Sequence, residues 1–251
     1  MNDKLLLAYF GHHKCGTSWM AEMLVDVCRQ LGLKGAYVHN YDSLVEEFLK
    51  KPYIRFLFHV NADFEHLKHL PPFRGFHMVR DPRDLVVSGY FSHLYTHPLQ
   101  DWLVNHRLEL QKRDKDKGLL FEIESDITRL IMNHIRTWNY KQNNVMEIRM
   151  EKMTAKPEQT MVSVFEFLGI LNNPKEVLKF TTNDLFPIVE KHNFLKKSGG
   201  REPGKVDITS HYRSGAPGDW KSHFKDFHKQ AFKKHFQDVL ELLNYEEDDS
   251  W

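Results

Sequence analysis

The residue types and spacing that most directly suggest chemistry lie in Gly11-His-His-Lys-Cys-Gly-Thr-Ser18. Gly11, four residues, Gly16 and then Ser18 keep the frame of the phosphate-cradling loop G-x-x-x-x-G-K-[ST], but Thr17 stands in the lysine slot and the loop's only lysine is Lys14. Before it, Leu5–Phe10 is an apolar run too short for a helix and reads as a buried strand. After it, Trp19, Met20, Met23, Leu24 and Val27 are apolar at helical spacing, with Thr17 and Ser18 placed as caps. Strand, glycine-bounded loop and helix together aim backbone N–H groups and a positive helix end at one point, where an anion can sit. The displaced lysine, and the lack of an evident metal-binding aspartate downstream, count against an ordinary ATPase or kinase. For this segment alone, a plain strand-to-helix turn with a chance lysine has comparable weight.

The elements that must position this loop follow from the rest of the chain. Its 251 residues, 41% hydrophobic with a net charge of +1, suit one large α/β domain over 1–251, and nothing suggests disorder or a nucleic-acid partner. The acidic stretch 246–251 reads as a short solvated tail. No apolar run is long enough for a signal peptide or membrane span, and Cys15 and Cys28 make no disulfide framework, so the expected setting is the cytoplasm, away from membranes. Strands are expected at Ala36–His39, Ile54–His59, Phe76–Val79 and Val145–Arg149, and a short helix capped by Asp42 and Ser43. Asp81 and Pro82 open a helix running to about His97; helical stretches at roughly 98–113 and 119–142 are separated by the charged run 112–118. Pro157–Leu168 is another helix, 193–218 reads as a mobile loop or lid, and Asp219 starts the last helices. Alternating strands and helices imply a P-loop-type, mostly parallel sheet of about five strands with helices on both faces. Ligands bind beyond the carboxyl ends of such strands, and Lys14, His59 and Arg80 all fall just past predicted strand ends.

Three motifs then meet in order along the chain: His13-Lys-Cys-Gly-Thr-Ser-Trp19, Arg80-Asp-Pro-Arg-Asp-Leu-Val-Val-Ser88 and Arg213-Ser-Gly-Ala-Pro-Gly-Asp-Trp-Lys-Ser-His-Phe224. Together they resemble the cytosolic-type sulfotransferases that use PAPS, 3′-phosphoadenosine 5′-phosphosulfate, and the resemblance covers essentially the whole chain. It implies transfer of a sulfuryl group from PAPS to a hydroxyl or amine of a small-molecule acceptor by in-line displacement, releasing PAP, with no metal in the step. It assigns the 5′-phosphosulfate to Lys14, Cys15, Gly16, Thr17 and Ser18, with Trp19 against the adenine and Lys14 stabilising charge on the bridging oxygen. Arg80 and Ser88 would hold the 3′-phosphate, with Arg213, Ser214 and Gly215 closing over it, and Met150 stands where a tyrosine near the adenine is expected.

His59, twenty-one residues before Arg80, matches the family's spacing for a histidine base; His12, His13, His77 and His93 are the other histidines placed to compete. Several positions depart from the pattern: His13 replaces a proline, Cys15 a serine, Leu57 a lysine and Ser214 a lysine. The family's dimerisation motif after Trp220 is absent, so oligomeric state stays open. A P-loop nucleotide kinase, or a protein that binds PAP or a nucleotide without turnover, are the competing readings. His59, His66, His69 and His77 fit no common zinc spacing and read as a solvated helix face and strand ends.

Overall fold

Five strands form one all-parallel sheet in the order β2-β3-β1-β4-β5, with β1 Leu6–Gly11, β2 Gly35–Val38, β3 Phe56–His59, β4 Phe73–Val79 and β5 Val145–Arg149. The computed structural model describes residues 5–51, 53–172 and 180–251. The chain resolves into two compact units, one running up to Val79 and taking in Thr137–Lys197, the other Arg80–Arg136 with Ser198–Trp251.

The whole sheet lies in the first unit, and every residue of β1 is buried, as a strand covered on both faces requires. One face carries Leu7, Tyr9, Phe56, Phe58, Phe76, Met78 and Ile148, covered by helices Thr17–Leu31, Pro157–Leu168 and Thr182–Lys191. The other carries Leu6, Ala8, Phe10, Leu57 and Val145, covered by Leu44, Phe48, Leu67 and Trp138. The expected α/β architecture is therefore the one found. Helix Thr17–Leu31 buries Met20, Met23, Leu24, Val27, Cys28 and Leu31, the three-and-four spacing that sends one stripe into the core. Gly32, at φ 65°, ends it with its N–H on the last carbonyls. Burial pushes the Cys28 thiol up to about 12, so this cysteine is inert packing.

Local details differ from expectation for identifiable reasons. The short helix after β2 is capped by Asn40, with Ser43 returning the hydrogen bond from the third helical position, and it widens into a π-turn over Val45–Leu49. The charged run 112–118 separates two helices only over 112–114: helix Asp101–Gln111 ends there, and the Asp114 carboxylate caps the next, Lys115–Glu124. A second break, inside the stretch expected as one helix over 119–142, falls at Ser125, before Asp126–Thr137. A helix at Thr182–Lys191, with Pro187 inside it, was not foreseen.

In the second unit, 246–251 is only partly a solvated tail. Glu246 pairs with Arg83, whose guanidinium lies in the corner of two edge-to-face rings, 4.0 Å from Trp220 and 4.5 Å from Trp251. The expected lid contains its own bonding: Arg201 donates to the carbonyls of Lys205, Tyr212 and Arg213, and Ser214 O accepts from Gly204 N at 2.8 Å.

Candidate functional site

In the first unit, the loop after β1 is shaped by two left-handed residues, Lys14 at φ 65° and Gly16 at φ 70°. The left-handed region costs a residue with a Cβ roughly 1–2 kcal/mol, so Lys14 is held there by its surroundings. Cys15 N donates to His12 O at 3.0 Å, closing the turn, and Cys15 is buried. Gly16, not Thr17 or Ser18, is the helix cap, because the chain enters Thr17–Leu31 through that left-handed residue. A glycine cap has no side-chain acceptor, so no side chain caps the helix's first N–H groups, the arrangement that suits an anion. A side chain at Gly11 would run into the Tyr9 hydroxyl and, at 2.6 Å, into Thr17 Cγ2. Met150, first residue of the helix after β5, packs at this loop: its Cε would lie 3.2 Å from a Cβ on Gly16. Trp19 sits half-buried at the core, its indole N–H donating to the His192 carbonyl.

Parallel register puts Val38, His59, Phe10, His77 and Glu147 in one row across all five strands, at their carboxyl ends. Both histidines are thus one strand away from Phe10, on either side of the strand that feeds the loop. His59 is fully buried, with Nε2 2.9 Å from His66 Nδ1 and the two rings stacked at 5.1 Å. Burial lowers the His66 pKa against the opposing pull of Asp63, whose carboxylate is 4.0 Å away. On the other side, His77 is fully buried between Glu147, 2.6 Å from Nδ1, and His12, 2.8 Å from Nε2, and it stacks on Trp138 at 4.1 Å. The Trp138 indole N–H donates to the second Glu147 oxygen at 2.9 Å. A carboxylate–imidazole–imidazole chain therefore ends on the residue whose carbonyl closes the loop. His59, His66, His69 and His77 form no single group: His59 meets His66, His77 meets His12, and His69 lies against Tyr41. Glu147 was not foreseen; the available signal was a charged residue in the middle of the apolar strand Val145–Arg149.

In the second unit, Asp81 caps helix Pro82–Phe91 by accepting from Arg83 N at 2.9 Å, with Pro82 at the first helical position. Arg80 immediately precedes this cap, and both it and Ser88 are half-buried. Every other residue of the helix is buried, so Ser88 is its one opening. Asp84, with no exposure, accepts from Gly218 N at 2.7 Å and Trp220 N at 2.9 Å, fixing the loop that carries residues 213–215. Burial raises the Asp84 pKa, and the nearby Arg80 charge opposes it. Arg213 donates to Asp219 and lies over the Phe91 ring at 4.5 Å, while its buried Nη1 has no hydrogen-bond partner. Ser214 is buried and Gly215 is left-handed at φ 66°.

The family model described as "Sulfotransferase domain" matches residues 3–244. Mouse Sulfotransferase 2A6 is 29% identical over 172 residues, covering 65% of this chain and 55% of the relative. Human Sulfotransferase 2A1 is 26% identical over 169 residues, with the same coverages. The chain thus spans little more than half the length of these relatives. Among solved structures, mouse sulfotransferase SULT7A1 complexed with PAP aligns with a TM-score of 0.63 at 16% identity, covering 96% of this chain and 86% of that one. Retinol dehydratase in complex with androsterone and PAP aligns with a TM-score of 0.52 at 14% identity, covering 93% and 80%. At these identities the structural likeness is one of fold.

Proposed function

Since this chain belongs to the sulfotransferase domain family, matched over residues 3–244, we propose that it transfers a sulfuryl group from PAPS to a hydroxyl or amine of a small molecule and releases PAP. The observation that carries the reading is the loop end of helix Thr17–Leu31: a glycine cap with no side-chain acceptor, preceded by a lysine held in the left-handed region. The backbone N–H groups of Gly16, Thr17 and Ser18 suit the 5′-phosphosulfate, and Trp19 and Met150 suit the adenine. Lys14 places a positive charge for the bridging oxygen, where negative charge builds as the sulfur–oxygen bond breaks. Arg80 and Ser88 are the 3′-phosphate ligands, Arg80 through the planar fork that meets two phosphate oxygens at once. The buried Nη1 of Arg213, with no hydrogen-bond partner, is a donor suited to the same phosphate. Taken unit by unit, the first offers residues suited to the 5′ end of such a donor and the second residues suited to its 3′-phosphate.

His59 is the base that takes the acceptor proton as the acceptor oxygen or nitrogen attacks sulfur. Its Nε2 faces His66 Nδ1, so base function requires the tautomer in which His59 Nε2 donates and Nδ1 carries no proton. His12, His77 and Glu147 act as positioning residues for the loop. No described helix is long and apolar enough to cross a membrane, and we place the enzyme in the cytoplasm. One relative is a guinea-pig 3-alpha-hydroxysteroid sulfotransferase, 26% identical over 181 residues, so hydroxysteroids are the first acceptors to try.

The test is transfer of labelled sulfate from PAPS to a panel of hydroxysteroids, phenols and amines. The native chain is expected to turn over at least one class, and Lys14→Ala to lose about 10²–10³ in rate. Tight PAP binding with no acceptor turned over would identify a non-catalytic binder, and Mg²⁺-dependent ATP hydrolysis a kinase.

A further inference from the structure

Helix Pro82–Phe91 does not end at Phe91 but continues as a π-turn over Ser92–Thr96, and that turn carries His93 inward. Turns of this kind insert a residue into helical register and recur where a side chain must be re-aimed at a site. His93 meets His106, from helix Asp101–Gln111, and Glu122, from helix Lys115–Glu124. His93 Nδ1 lies 2.9 Å from Glu122 Oε1, and His106 Nε2 lies 2.8 Å from Glu122 Oε2. All three side chains are more than nine-tenths buried, at 1%, 8% and 1% exposure for His93, His106 and Glu122. Among the described residues this is the one group of three histidine, cysteine or acidic side chains whose ligand atoms all lie within 4.8 Å of one another.

The backbone is adapted to the group. A Cβ on Gly89 would stand 2.7 Å from Glu122 Oε1, so glycine there makes room for the carboxylate. A Cβ on Gly118 would stand 2.6 Å from the Tyr90 ring, so a second glycine lets the helix bearing Glu122 approach. Arg107 donates to the carbonyls of His93 and His97, fixing the π-turn from outside. Trp102 packs edge-on to His93 at 5.4 Å and Phe121 lies 4.9 Å from His106, which keeps the group dry.

We propose that His93, His106 and Glu122 form a binding site for a borderline divalent transition metal, with Zn²⁺ as the natural probe, that ties three helices of the second unit together. Two imidazoles and a carboxylate are a ligand set such ions favour, and three protein ligands leave a further position for water or a small anion. Zinc bonds near 2.0–2.1 Å at a tetrahedral angle put ligand atoms about 3.3 Å apart, so each N···O contact opens by about half an ångström when the ion enters. The sulfuryl-transfer reading does not depend on this site, and its test uses neither PAP nor an acceptor.

The experiment takes untagged full-length protein from zinc-supplemented growth, desalted without chelator. It measures bound zinc by elemental analysis, the visible spectrum of the Co²⁺-loaded form, and the shift in melting temperature on adding Zn²⁺. About one zinc per chain, a Co²⁺ ligand-field band and a melting shift are expected. All three should be lost in Glu122→Gln, which keeps side-chain shape, and in His106→Ala, and kept in His69→Ala on the surface. If His106→Ala fails to fold, Glu122→Gln still decides. Less than about a tenth of a zinc per chain, or zinc retained equally in Glu122→Gln, would overturn the proposal and leave a proton-bridged imidazole–carboxylate triad.

Discussion

Asp84→Ala is the perturbation with the sharpest expected consequence. The Asp84 carboxylate is fully buried, one oxygen accepting from Gly218 N and the other from Trp220 N. Alanine leaves both amides without acceptors in a buried setting, and each unmade hydrogen bond costs about 1–3 kcal/mol. Removing the carboxylate also relieves its own desolvation, the burial that raises its pKa, so the net loss comes to about 2–4 kcal/mol. Asparagine does not rescue it. One of its two terminal atoms is an NH₂, which must face a backbone N–H, so Asp84→Asn should lose at least half as much. The local assay is hydrogen exchange at the Gly218 and Trp220 amides. A loss of 2 kcal/mol corresponds to a roughly thirtyfold fall in protection. PAP affinity should fall in parallel, since the same loop carries Arg213, Ser214 and Gly215. Unchanged protection in Asp84→Ala, or an asparagine variant indistinguishable from native, would refute the claim that this carboxylate anchors the loop.

Three further outcomes follow from the geometry. His59→Ala should lower kcat by about 10²–10⁴ while leaving PAP affinity near native, because a base is needed only in the transfer step; an equal loss in PAP affinity would make His59 structural. His66→Ala should retain part of the rate and shift the pH profile, since His66 sets the His59 tautomer. Trp251→Ala removes one of the two rings against Arg83 and should cost about 1–2 kcal/mol in urea denaturation; no change would restore the picture of a solvated tail.

The fold was legible because the strands are short apolar runs bounded by glycine, proline and charge. Val145–Arg149 and Pro157–Leu168 lie where their patterns place them. The features that were not legible depend on partners distant in sequence. Glu147 means little until β4–β5 register sets it beside His77. Trp251 reads as a tail until its ring is seen against Arg83 and Trp220. The 112–118 run reads as a linker along its whole length because its charge hides a capping aspartate, Asp114, that starts a helix inside it. Gly16 was overlooked as a cap because Thr17 and Ser18 are the better cap formers, and only the left-handed Gly16 backbone decides between them. Of the candidate site, residue types and order were readable. What Arg213 and His59 touch was not, since both are held by side chains that spacing alone does not bring near.

The central claim, that this chain binds a doubly phosphorylated adenosine donor, is tested most directly by calorimetry of PAP binding without metal, native chain against Arg80→Ala. Micromolar or tighter binding that needs no Mg²⁺ is expected, with a loss of about 2 kcal/mol or more, roughly thirtyfold, in the variant. No binding of PAP, or equal binding by both proteins, would contradict the account.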